Sequence, residues 1–204
     1  MTHKKKRRNA RGAKRISQII GGSGSNGLLN NRKASKTNRI TKTTRSFMSD
    51  QPLIFSWNFS VAVLGFSSSI SPVFLQDGVF SLDNNPQLGS LIFNPPTGTV
   101  SSLTSAITLT QPVNVSELTE AFIRCGIWTR QENTNNFIPT NIFVDLPKFT
   151  GLKPVGTHFT ATAHLSNFVD AREEFLLVYS LMFTSNPNVG TGISGIGKAT
   201  IVFN

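Results

Sequence analysis

The stretch RKASKTNRITKTTR, residues 32 to 45, places Lys33, Lys36, Arg39, Lys42 and Arg45 at every third position, with Arg32 just ahead of them. The residues between are mostly Thr, Ser, Asn and Ala, and none is acidic. A second basic block, HKKKRRNARGAKR at residues 3 to 15, holds Lys4, Lys5, Lys6, Arg7, Arg8, Arg11, Lys14 and Arg15. The chemistry open to these side chains is phosphate binding. Each cation that meets a phosphate releases condensed counterions, so the affinity is strong at low salt and indifferent to base sequence. Reading bases would need a positioned element, which neither block supplies. All fourteen cations are therefore candidate RNA-binding residues.

Other constellations carry less. Gly192-Ile193-Ser194-Gly195-Ile196-Gly197-Lys198 imitates a phosphate-binding P-loop, but Ala199 stands where a hydroxyl must hold magnesium, and no helix has room to follow. It is read as a glycine-rich turn into the last strand. His158 and His164 share one face of a predicted strand without a third ligand at good spacing, so no metal site is assigned. Ser, His and Asp occur without a nucleophile elbow, and Cys125 in an apolar run reads as a buried small hydrophobe. The expectation is a non-enzyme with no cofactor. Asp145, Asp170, Glu173 and Glu174 are the most clustered acids. They read as solvated loop charge, or alternatively as carboxylates that meet across a subunit interface and bind calcium. Trp57, Trp128 and the sixteen phenylalanines stand apart from the basic blocks, which favours core packing over base stacking.

The elements that must position the cations follow from composition. The net charge of +10 is unevenly spread: residues 1 to 49 carry fourteen cations and no acid, and residues 50 to 204 carry six cations and all ten acids. Phe47 is the only aromatic before residue 50. Low hydrophobicity with high charge cannot offset the entropy of ordering a chain, so residues 1 to 49 are expected to be a disordered basic arm. GGSGSNG at residues 21 to 27 reads as its hinge. Lys4, Arg8, Arg11 and Arg15 have helical spacing, and the period of three in the second block suits a polyproline-II ridge with cations roughly 9 Å apart. Such an arm reaches roughly 35 to 40 Å over about 45 residues.

Residues 50 to 204 are expected to form an all-β domain. Apolar runs rich in Val, Ile, Phe and Thr predict strands over 54–63, 73–82, 90–93, 103–109, 121–130, 141–146, 158–165, 175–183 and 199–203. Turn clusters at 67–69, 83–86, 94–96, 133–136 and 186–188 separate them. One helical turn is expected at Ser116–Glu120. Eight or nine strands with uneven connections favour a jelly-roll, a two-sheet antiparallel sandwich, over an immunoglobulin-like one, which lacks its Cys–Trp–Cys pattern here. The single cysteine removes any intrachain disulfide. No apolar run suits a bilayer span or a secretory signal, so no membrane partner is expected and the glycosylation patterns at Asn58 and Asn114 read as chance.

A KKKRR-type arm, a Thr-rich junction and a β-domain of about 150 residues together resemble the coat proteins of small icosahedral positive-strand RNA plant viruses. The resemblance implies a jelly-roll that tiles a closed shell in many copies of itself, with the arm inside on single-stranded genomic RNA. It also implies residence in the virion, and in host cytoplasm during assembly. The alternative is a non-capsid RNA-binding or regulatory protein whose basic N-terminus acts as a nuclear-localisation signal.

Overall fold

The computed structural model describes residues 41–184 and 191–204. They form thirteen strands: β1 (Thr43–Met48), β2 (Leu53–Ser56), β3 (Ser60–Leu64), β4 (Ser69–Phe74), β5 (Phe80–Ser81), β6 (Gly98–Leu109), β7 (Val113–Val115), β8 (Ala121–Arg130), β9 (Asn136–Asp145), β10 (Gly151–Lys153), β11 (His158–Val169), β12 (Phe175–Phe183) and β13 (Gly192–Phe203). A short 3₁₀ helix, Pro86–Leu91, precedes β6. The fold is all-β with antiparallel sheets, arranged as a β-sandwich.

The pairing is nested. β2 pairs with β13, β3 with β12, β6 with β11 and β8 with β9, so the chain runs out and returns along itself. Lateral pairs then give one layer in the order β11-β6-β13-β2 and a second in the order β3-β12-β8-β9-β5. The layers are joined through the β2–β3 hairpin, which has one pair, Ser56↔Ser60. β1 extends the first layer by pairing with β13 from Thr43↔Phe203 to Met48↔Lys198. β7 and β10 form a separate two-stranded sheet.

Burial follows from this layering. Between the layers lie Leu53, Phe55, Leu103, Ile107, Ile123, Cys125, Leu177, Tyr179, Ile201 and Phe203, each 1 % exposed or less. The second layer is covered on its other face too, where Val61, Val63, Leu176, Val178 and Trp128 pack against Val73, Phe80, Leu88 and Leu91 from β4, β5 and the 3₁₀ helix. β12 therefore buries both faces, which is why Phe175–Phe183 is apolar almost throughout. β11 alternates, with His158, Thr160, Thr162 and His164 exposed.

Several predicted elements differ. The run 54–63 is not one strand but β2, a turn and β3. Asn58 takes a left-handed φ of 58°, and Phe59 emerges 61 % exposed instead of lining a buried face. The run 73–82 is likewise broken by Asp77-Gly78, with φ of 51° and 78°. Gln76 and Val79 exchange backbone hydrogen bonds of 2.8 and 3.0 Å around it, the two-residue hairpin that Asp-Gly favours. Ser90 and Leu91 close the 3₁₀ helix, and only Phe93 bridges to a strand, at Phe175. The helical turn at Ser116–Glu120 is a turn alone, closed by Thr119 N–H to the Ser116 carbonyl at 3.0 Å, because β8 begins at Ala121. The glycine-rich 192–198 lies inside β13 rather than leading into it. Gly195 and Gly197 are needed for packing: an added Cβ would sit 2.8 Å from Ile107 Cγ1 or 2.5 Å from Leu53 Cδ1. β1 begins inside the region assigned to the arm, six residues ahead of the composition break. The predicted turn at 186–188 lies outside the described residues.

Gly197 leaves room for Leu53 of the neighbouring strand β2, and the Tyr179 ring packs across from it in the other layer. The Tyr179 hydroxyl donates to the Lys198 carbonyl at 2.7 Å, and Ser105 lies 2.7 Å from it. Tyr179→Phe strands the buried Ser105 hydroxyl and should lower the unfolding free energy by about 1–3 kcal/mol. Gly197→Ala should cost a similar amount, about 1–3 kcal/mol, by overpacking. Urea unfolding measures both, and an unchanged midpoint in either variant would contradict this account. Truncation gives a third outcome. A chain starting at residue 41 should unfold like the full chain. One starting at residue 49 loses Phe47, which is 2 % exposed, and should be less stable by about 3 kcal/mol or more.

Candidate nucleic-acid interface

Of the fourteen predicted RNA-binding cations, Lys42 and Arg45 fall within the described residues. Lys4, Lys5, Lys6, Arg7, Arg8, Arg11, Lys14, Arg15, Arg32, Lys33, Lys36 and Arg39 lie outside them, as do the hinge and the two arm conformations expected from spacing. From Thr43 onward the chain is a paired strand of period two, so the polyproline-II ridge does not extend to Arg45. Lys42 is exposed just before β1. Arg45 is exposed on β1, and its guanidinium lies 5.9 Å from the centre of the Phe66 ring. β1 is anchored below it by Phe47, which stacks on Phe66 at 4.8 Å and meets Phe93 at 4.9 Å.

The remaining cations divide by partner. Arg124 grips Asp145 through Nε at 2.7 Å and Nη2 at 2.9 Å, with Phe143 against its guanidinium at 3.9 Å. Arg130 holds Glu174 at 2.7 Å and also donates to Asn135 Oδ1 and the Thr134 carbonyl. Lys148 meets Glu120 at 3.0 Å, and Arg172 meets Asp170 at 2.9 Å. Among the described residues Lys42, Arg45, Lys153 and Lys198 take part in no ion pair, and three of these four stand on or beside β1 and β13. Lys198 is exposed and lies directly opposite Met48 of β1. The cations without acids thus gather along the edge where residues 1 to 40 join the sandwich. Sequence reading missed Lys198 because it sits inside the P-loop imitation, far along the chain from the basic blocks. Its only signal was an isolated lysine in a run without acids.

The other candidates resolve differently. The four clustered acids divide: Asp170, Glu173 and Glu174 line one surface pocket beside Arg130, whereas Asp145 lies at the Arg124 end of β8. Asp170 accepts hydrogen bonds from the Arg172 side chain and backbone, which hold its carboxyl below the usual range. Glu173 accepts from the Asp170 backbone N–H at 2.7 Å. Among the described residues no group of three or more acids, histidines or cysteines converges as metal ligands. His158 and His164 do face the same side of β11, opposite Thr108 and Ser102, and His158 Nδ1 lies 2.9 Å from Thr108 Oγ1. Trp128 stacks on Phe80 at 4.8 Å in the covered outer face, as core packing requires. Phe59, Phe66, Phe74 and Phe168, in contrast, are exposed. Among the described residues no helix is long and apolar enough to cross a membrane.

No protein-family model matches this chain, and no curated protein matches it.

Cys125 is fully buried against Ser105 and Tyr179, and burial pushes its thiol from 9.0 up to about 12. Burial also raises the Tyr179 hydroxyl well above 10. The native thiol should therefore resist a thiol-reactive dye at pH 8 and react only when the chain unfolds. A raised acid pKa stabilises the folded chain fully below the unfolded value and loses that contribution as pH rises to the folded value. Stability should accordingly fall between about pH 9 and 12, by about 4 kcal/mol from Cys125. Urea midpoints at successive pH values test this. Cys125→Ala should flatten the decline, and a midpoint unchanged up to pH 10.5 would contradict it.

Proposed function

We propose that this protein is a viral coat protein: its sandwich is a jelly-roll that assembles with many copies of itself into a closed shell, and its basic N-terminal arm packages single-stranded genomic RNA. The observation that carries the reading is the division of charge. Fourteen cations at one end of the chain have no acid among them, while four of the six cations after residue 49 are paired with acids of the same domain. The counter-charge for the arm must come from outside, and a polyanion with closely spaced phosphates supplies it without demanding a fixed arm conformation.

The jelly-roll assignment is supported by the nested pairing of eight strands, first with last and so inward, which is the path of one long hairpin wound into two layers. Symmetric closed assembly is how one short chain encloses a large volume. The composition of residues 1 to 40 opposes compaction on its own and suits an arm that enters the packaged RNA while the sandwich stays in the wall. In this reading the shell is a structural assembly rather than an enzyme, and its place is the virion.

Electron microscopy of the purified protein, with the absorbance ratio at 260 and 280 nm, tests the reading. Uniform closed particles with strong nucleic-acid absorbance are expected. Raising salt should release the RNA, and a chain lacking residues 1 to 40 should retain its sandwich and lose the RNA. Discrete monomers or small oligomers with RNA bound would overturn the shell and favour the regulatory alternative with a nuclear-localisation signal. RNA retention that is unchanged by salt would overturn the phosphate mechanism.

A further inference from the structure

The first layer leaves its outer face open. The second layer is covered by β4, β5 and the 3₁₀ helix, but across β11, β6, β13 and β1 the outward residues are exposed or half-buried. Register puts one row of hydroxyls straight across the four strands: Thr162 opposite Thr104, Thr104 opposite Thr200, and Thr200 opposite Ser46. At a strand spacing of about 4.8 Å, the row spans about 14 Å. Lys198 stands in the adjacent row, between Ala106 on β6 and Met48 on β1, with no acid paired to it among the described residues. His158 and His164 face outward on β11. None of the ten acids lies on these four strands.

Two observations indicate what such a face takes. It is complementary to an anion, because its one lysine and its short hydroxyls meet no carboxylate, and Ser, Thr and Lys are the usual side-chain partners of phosphate oxygens. It also adjoins the basic segment: Lys42 and Arg45 stand at β1, the edge strand, with Arg45 on the Phe47 side rather than the Lys198 side, and twelve further cations precede them. A protein partner is a poorer fit, because the outward apolar residues of the central strand, Ile196 and Val202, are half-buried, and the exposed Met48 stands on the edge strand.

We infer that the outer face of the β11–β6–β13–β1 sheet is a second contact for single-stranded RNA, binding phosphates through Lys198 and the Thr162–Thr104–Thr200–Ser46 row. The inference rests on the RNA-packaging reading above and extends it from the arm to the sandwich. Contacts of this kind carry no base specificity, so the face lengthens the path of the RNA without selecting its sequence.

Lysine footprinting of the full chain tests it. The protein is treated with an amine-acetylating reagent at low salt, with and without a single-stranded oligouridylate, and each lysine is quantified by mass spectrometry. RNA should lower the reactivity of Lys198 several-fold together with Lys4, Lys5, Lys6 and Lys36, while Lys153, also outside any ion pair, stays unchanged. In a parallel titration Lys198→Gln should reduce the slope of log affinity against log salt by about 0.7. Protection of the arm lysines with Lys198 unchanged would overturn the inference and leave the packaging reading intact. Protection of no lysine would overturn both. Lys198 protected equally without RNA would make the face a contact between copies of the chain, and would also overturn the inference.

Discussion

The sandwich depends on how closely its two layers approach at Tyr179. The ring lies in van der Waals reach of residue 197, and the hydroxyl crosses from β12 to the Lys198 carbonyl on β13 and to Ser105 on β6. An isolated polar group at this depth would be costly. Here the neighbouring hydroxyl and carbonyl satisfy it, and no described buried side-chain polar atom is left without a partner. The same contact registers three strands at once. A slip of β13 by one residue would move Ile201 and Phe203 out of the core and put Lys198 in.

With that contact in place, the nested pairing determines which surfaces remain. The second layer needs cover on both sides because β3 and β12 carry apolar residues at almost every position. The segment between β3 and β6 provides that cover with Val73, Phe80, Leu88 and Leu91. The first layer alternates over most of its length and needs cover on one side only. Its other face carries threonines, serines, two histidines, one lysine and the apolar Met48, Ile196 and Val202 at exposed or half-buried positions.

Charge is divided along the same lines. Arg124, Arg130, Lys148 and Arg172 are occupied by acids of their own domain, whose energetic value at partly exposed positions is small. Their effect on partners is larger than their effect on stability. In the proposed reading, pairing removes them as competitors for phosphate and leaves Lys42, Arg45 and Lys198 beside β1 and β13 without acids among the described residues. The proposed assembly therefore separates two tasks in one chain: a neutralised body for contacts between copies, and an uncompensated edge for the polyanion.

Much of this was legible in the residues. The all-β class, the full extent of β8 and β12 and the burial of Cys125 follow from short apolar runs between turn residues, alternating in most strands and continuous in β12. The cationic segment and its lack of acids are likewise a matter of composition. What the sequence concealed has a consistent cause. Asn58 and Asp77-Gly78 look like interruptions too slight to end a strand, yet each adopts a left-handed φ and reverses the chain, so local apolar pattern overstated two strands. β1 reads as arm because Thr, Arg and Ser are polar, and only the open edge of β13 recruits it into the sheet. The P-loop imitation becomes a strand in which Gly195 and Gly197 admit Ile107 and Leu53 from elsewhere in the chain. Lys198 comes to the same strand pair as Arg45 for the same reason: register sets Met48 opposite Lys198 and Arg45 opposite Ile201, a relation that spacing along the chain does not encode.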